Sequence, residues 1–209
     1  MQHDIQPRAK GESQRTARRT CRGGFTLIEV LLIVVILGIA GVMVIPSMSQ
    51  AGVLRVQAAV RTVVSDIAFM QSEAVAFQSR RAIWFGKVAR WNTDDARWEF
   101  VDGNGYVMCE VTGPDLILSS NALVDPDRPD RPYFRDLSNA DFGDASISDI
   151  DFNNGDILIF DELGGPVAEL DGPDPGEGGT LSLEGSGSTF ELTVQAYTGR
   201  VVVARTEAP

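Results

Sequence analysis

Apolar and polar positions divide the chain into three textures. From Phe25 to Pro46 nearly every residue is apolar or small, and Glu29 carries the single charge of the run. That stretch is about 22 residues, or roughly 33 Å as a helix at 1.5 Å per residue, long enough to span a bilayer. Gly38, Gly41 and Pro46 lie inside it, as membrane helices tolerate. Pro46 removes a backbone donor and either loosens the helix or ends its membrane part. From Val53 to Phe77 a second texture begins. Val53, Val56, Val60, Val63, Ile67, Met70, Ala74 and Phe77 recur in steps of three and four, which is one stripe on a helix. Arg55, Gln57, Arg61, Thr62, Asp66, Gln71 and Glu73 fall off the stripe. Such a stripe can form a coiled coil; the expectation is that it packs on the chain's own sheet.

Beyond Arg81 the period shortens to two. Ala82–Phe85 is strand-prone, and Trp98–Val101 with Tyr106–Val111 flank Asp102-Gly103-Asn104-Gly105, which reads as a hairpin turn. Leu116–Leu118 and Ile157–Phe160 are short strands, the latter followed by a turn through Asp161–Pro166. Phe190, Leu192, Val194 and Ala196 alternate with polar residues. Thr198-Gly199 then turns the chain into Arg200–Ala204, a terminal hairpin with one buried face. The stretch from about residue 121 to 156, Asp125 to Asp156 above all, is rich in Asp, Pro, Asn and Ser and reads as a long acidic surface insertion. Gly172–Gly179 reads as a second loop.

Charge orders these textures across a membrane. The first 24 residues hold six basic residues and two acids, a net of about +4; the other 12 basic and 27 acidic residues give the remainder about −15. The positive-inside rule keeps the first 24 residues cytoplasmic and sends the C-terminal part across the membrane. A head this acidic is a poor partner for nucleic acid.

Candidate chemistry is sparse. The lone histidine, His3, and one of two cysteines, Cys21, lie in the first 24 residues, which leaves Cys109 as a small buried hydrophobe. Asp151–Asp156 loosely follows a calcium loop but lacks the closing glutamate, so turns are the simpler reading. No glycine run matches a phosphate loop, and no carboxylate pair argues for glycosidase chemistry. Trp84, Trp91 and Trp98 suit sugar or base stacking, with core packing as the expected role. The sequence therefore implies no catalytic residue, no cofactor and no metal. A carboxylate inside a membrane run, however, is a functional candidate by default.

Arg22-Gly23-Gly24-Phe25-Thr26-Leu27-Ile28-Glu29 resembles the class III signal of type IV prepilins and type II secretion pseudopilins. A plain signal anchor would explain the length and the charge bias, but not Gly24 directly before Phe25 or Glu29 at its offset. A cleaved secretory signal would have a shorter core and a better site than Ser47-Met48-Ser49. The resemblance implies that a prepilin peptidase cuts between Gly24 and Phe25 and methylates Phe25. It implies that Glu29 meets a neighbouring subunit's N-terminal ammonium during assembly, and that Pro46 matches the proline of pilin helices. Leu158–Pro166 and Glu191–Val201 resemble the strand-turn and closing hairpin of the GspH/FimT group. The fold implied is α+β: a pilin fold with a long N-terminal helix, transmembrane in its first half, on an antiparallel β-sheet head. Its parts would be a cleaved leader 1–24, a membrane half 25–46, a periplasmic half-helix 47–81 and a head 82–209. The function implied is that of a minor pseudopilin in type II secretion, or alternatively a FimT-like minor pilin of a type IV pilus. The implied partners are the prepilin peptidase, other major and minor pseudopilins, the inner-membrane assembly platform and secreted cargo.

Overall fold

The computed structural model describes residues 24–206, and side chains throughout except at residues 42–50. The chain falls into two units that meet between Met43 and Val44. The first helix, α1, is Leu27–Phe77. In the first unit its described side chains, up to Gly41, are exposed on every face.

The second unit is built on the rest of α1 and eleven strands. The strands are β1 (Arg81–Asn92), β2 (Arg97–Glu110), β3 (Val124–Asp125), β4 (Arg128–Pro132), β5 (Phe134–Asp136), β6 (Ser146–Phe152), β7 (Ile157–Phe160), β8 (Pro166–Val167), β9 (Gly178–Gly185), β10 (Ser188–Gln195) and β11 (Val201–Thr206); a short helix α2 (Leu118–Asn121) follows β2. Sheet 1 runs β5-β2-β1-β7-β8, sheet 2 runs β11-β10-β9-β6, and β3 pairs with β4 alone. All these pairings are antiparallel.

The helical stripe does what its spacing predicts. Val56, Val60, Val63, Ile67, Met70 and Ala74 are buried in one core with Phe85, Tyr106, Met108 and Phe160 of sheet 1 and Phe152, Leu183, Phe190 and Leu192 of sheet 2. The stripe therefore packs on the chain's own sheets. It stops short of Phe77, which is exposed and lies 5.3 Å below the Arg81 guanidinium. A smaller cluster of Ala82, Val107, Cys109, Ile159 and Val167 covers the other face of sheet 1. Burial on both faces explains why Tyr106-Val107-Met108-Cys109 is apolar without alternation. The terminal hairpin also matches: Phe190, Leu192 and Val194 face inward in register with β11.

Four expectations change. Asp102–Gly105 is not a hairpin turn, because β2 continues through it. The turn lies nine residues earlier, at Thr93–Ala96, where Asn92 Oδ1 accepts the Asp94 N–H at 2.8 Å. The glycines serve a bulge instead. Phe85 pairs with Tyr106 but Lys87 pairs with Asp102, so Gly86, at φ 73°, opposes three residues. A Cβ on Gly105 would stand 2.0 Å from the Arg135 carbonyl oxygen, so close backbone approach requires the glycine. The looped-out Asn104 side chain ties the bulge to the next segment, donating to Ala145 O at 2.7 Å and accepting from Ile147 N at 2.9 Å.

Leu116–Leu118 is not a strand; the Asn121 side chain accepts the Ile117 N–H and donates to Glu110 O, winding the segment into α2. Residues 121–156 are not a free insertion either. They contribute β5 to sheet 1 and β6 to sheet 2, and Leu137, Ala145 and Phe152 to the core. Polar composition hid a segment whose outward face is acidic and whose few apolar residues point inward. Gly178 and Gly179 open β9 rather than ending a loop; a Cβ on Gly178 would meet the Val194 carbonyl oxygen at 2.0 Å.

Candidate processing and assembly site

The start of α1 holds three of the four residues singled out above. Gly24 and Phe25 precede the helix, Phe25 with 74 % of its surface exposed, and Glu29 lies in the first turn. Thr26 caps the helix. Its Oγ1 accepts the Glu29 backbone N–H at 3.3 Å, and its carbonyl accepts the N–H groups of Glu29 and Val30 at 3.0 and 3.2 Å. Thr26-Leu27-Ile28-Glu29 therefore has the spacing of a capping box, whose carboxylate side can reach back to the N-cap N–H. This role of Thr26 was visible as a T-x-x-E pattern and was missed. Among the described residues, a Cβ on Gly24 meets nothing within 4 Å, so space among them does not require glycine there.

Leu27 to Ile39 presents an apolar surface all round: Leu27, Ile28, Val30, Leu31, Leu32, Ile33, Val34, Val35, Ile36, Leu37 and Ile39 are all exposed. A helix apolar on all sides needs an apolar environment. Among the described residues no helix is long and apolar enough to cross a membrane. The described side chains of this run stop at Gly41, so the side chain of Pro46 lies outside the described residues, as does the leader before Gly24.

The head contains a charged site that the sequence did not disclose. Asp66, placed off the helical stripe, is only 4 % exposed. Its Oδ2 accepts the Tyr106 hydroxyl at 2.7 Å and Arg135 Nε at 2.8 Å, and its Oδ1 accepts Arg135 Nη2 at 3.3 Å. The Arg135 guanidinium also lies 5.3 Å from the Tyr133 ring centroid. The hydrogen bonds to Asp66 raise the Arg135 pKa still further, and burial, followed by the Asp66 charge, pushes the Tyr106 hydroxyl well above its usual range. This cluster joins α1 to β2 and β5.

The remaining candidates are structural. Asp151 Oδ1 accepts the Asn154 N–H, and Asn153 and Asn154 have positive φ, so the calcium-like stretch is a turn before β7. Among the described residues no group of three or more His, Cys, Asp or Glu side chains is placed to hold a metal. The tryptophans are not core residues. Trp91 is 49 % exposed, and Trp84 and Trp98 are half-buried, their indole N–H groups donating to Asp156 and to the Asp130 carbonyl. Trp91 opposes Trp98 across the β1–β2 ladder with ring centroids 5.4 Å apart, a pair that stabilises the hairpin end. Cys109 is buried, and burial pushes its thiol up to about 12. In a Cys21→Ser chain, Ellman's reagent at pH 8 should therefore titrate no thiol until denaturant is added. Full reaction of Cys109 in the native state would contradict the packing described.

A family model, the prokaryotic N-terminal methylation motif, matches residues 19–45. No curated protein and no solved structure matches the chain. The motif is type IV prepilin-like and supports the broad class of type IV pilins and pseudopilins. It implies a membrane-anchored structural subunit, processed by a prepilin peptidase and assembled with other pilins.

Proposed function

We propose that this chain is a minor pseudopilin of a type II secretion system, a structural subunit at or near the tip of a short periplasmic filament. The observation that carries the reading is the junction at the start of α1. Gly24-Phe25 lies exposed ahead of a threonine-capped helix, Glu29 sits in the first turn, and the matched motif covers them all. The leader 1–24 is removed by the peptidase, 25–46 anchors the chain in the inner membrane, 47–81 carries the helix into the periplasm, and 82–209 forms the head. The head's partners are other major and minor pseudopilins and secreted cargo, and the inner-membrane assembly platform receives the anchor. The resemblances at Leu158–Pro166 and Glu191–Val201 support the GspH/FimT group. The acidic head argues against the nucleic-acid role open to a pilus subunit. Arg205, one of two arginines in the closing hairpin, is held against Ser188 at 3.0 Å and over the Phe190 ring at 6.0 Å.

Co-expression with a prepilin peptidase should shorten the chain by the leader and leave Phe25 methylated. Gly24→Ala should slow cleavage more than tenfold. Because an alanine side chain there meets nothing within 4 Å among the described residues, that loss would report recognition by the peptidase. An intact leader by mass spectrometry in the wild-type chain would sink the reading. Deleting the gene should block secretion of a type II substrate and leave piliation intact, and the reverse pattern would place the chain in a pilus.

A further inference from the structure

The edges of the two sheets are not alike. In sheet 1 the edge strands β5 and β8 have three and two residues. In sheet 2, β6 is broken by an irregularity between Ser148 and Asp151 and by Asp149 at φ 47°. Such devices blunt an edge. The opposite edge, β11, has none of them. It is six residues long, pairs with β10 without a register shift, and reads Val-Val-Val-Ala-Arg-Thr with no proline and no acid.

Its backbone polarity follows from the hairpin. Gln195 N–H donates to Arg200 O at 2.9 Å. By the alternation of an antiparallel ladder, the Val202 and Ala204 amides point to β10, while those of Val201, Val203 and Arg205 point to the open edge. Val203 shares the inward face with its ladder partner Leu192, which is fully buried, yet it remains 42 % exposed. Beside it lies an apolar groove of about 470 Å³, lined by Val60, Arg61, Val64 and Ala68 of α1 and by Phe190 and Val203. The helix thus supplies a floor beyond the last strand, and sheet 2 is one strand short of covering it.

We propose that β11 and this groove form a docking site for an extended segment of a partner polypeptide, which adds as a fifth strand to sheet 2. Its backbone would pair with Val201, Val203 and Arg205, and its apolar side chains at alternate positions would fill the groove. Arg61, exposed beside the groove and without an ion pair among the described residues, suits a carboxylate flanking those apolar residues. A second copy pairing through its own β11 is the poorer occupant, because Val-Val-Val-Ala-Arg-Thr brings no carboxylate to Arg61. The proposal does not depend on which filament the chain serves.

The test uses the full chain in lipid nanodiscs and the capped peptide Glu-Val-Thr-Val-Thr-Val-Glu. Two further peptides carry N-methyl groups on alternate backbone amides, one in each phase. Residue-resolved hydrogen exchange should show the Val201, Val203 and Arg205 amides slowed more than tenfold by the unmodified peptide, with Val202 and Ala204 unchanged. One methylated phase should lose this effect and the other keep it. Val203→Pro removes an outward amide without breaking the β10 ladder, and it should abolish binding. Ala68→Glu, in the groove alone, should weaken binding at least tenfold even if the proline variant fails to fold. Three results would each overturn the proposal. These are no protection at millimolar peptide, equal binding of both methylated phases, and protection that rises with protein concentration in the absence of peptide, which would mark self-association instead.

Discussion

Arg135→Ala should destabilise the head by about 3–5 kcal/mol, the cost typical of leaving one partner of a buried ion pair alone. The carboxylate left behind, Asp66, is 4 % exposed, sits on a helix packed against both sheets, and would keep only the Tyr106 hydroxyl as donor. Asp66→Ala should cost less, about 2–3 kcal/mol, because the Arg135 side chain is one-third exposed and can turn toward water. The double variant should cost less than the sum of the two, since the buried carboxylate and its guanidinium leave together. Urea denaturation followed by tryptophan fluorescence measures all three, because Trp84, Trp91 and Trp98 lie in the same unit as the pair. A loss below about 1 kcal/mol for Arg135→Ala would mean that the carboxylate finds water, as surface pairs do, and that the cluster does not hold β5 to the helix.

The same pair shows what sequence periodicity can and cannot reveal. The stripe from Val56 to Ala74 was legible because a helix repeats its inward face every three or four residues, and each of those positions is apolar. Asp66 breaks the rule by sitting beside the stripe and still being buried. Its partner lies 69 residues away in a segment whose composition reads as solvent-exposed. A long-range ion pair leaves no periodic trace, so a carboxylate next to a stripe looks like an edge position whichever role it has. The misplaced hairpin turn has a related cause. Asp102-Gly103-Asn104-Gly105 is as good a turn locally as it is a bulge, and only contact with Val88 and the Arg135 backbone decides between them. The asparagine turn after β1 carries a weaker signal. At the helix start, by contrast, all the information is local. Gly24, Phe25, Thr26 and Glu29 lie within six residues, and cap and carboxylate spacing can be read without any knowledge of the head.

That local cluster gives Glu29 two separable roles. As the third helical residue after Thr26, its carboxylate can complete a capping box, a function glutamine also performs. As a charge in an apolar run, it can pair with the N-terminal ammonium of a neighbouring processed subunit, a function glutamine cannot perform. Glu29→Ala removes both roles, and Glu29→Gln removes only the charge. Both variants should be cleaved at close to the wild-type rate, because the peptidase is expected to read Gly24. If pairing drives assembly, both should fail to crosslink to neighbouring subunits and should reduce secretion at least tenfold, since the ammonium would be left unpaired in low dielectric at a cost of several kcal/mol. If capping is the role, Glu29→Gln should behave as wild type while Glu29→Ala loses about 0.5–2 kcal/mol of helix stability at its first turn, with a correspondingly mild defect. A subunit at the filament tip has no neighbour above it, so its carboxylate would then matter toward a single partner. Crosslinking should in that case fail to one subunit and persist to the others. Full crosslinking and full secretion by Glu29→Ala would exclude both roles and leave a carboxylate that merely reaches the cytoplasmic interface.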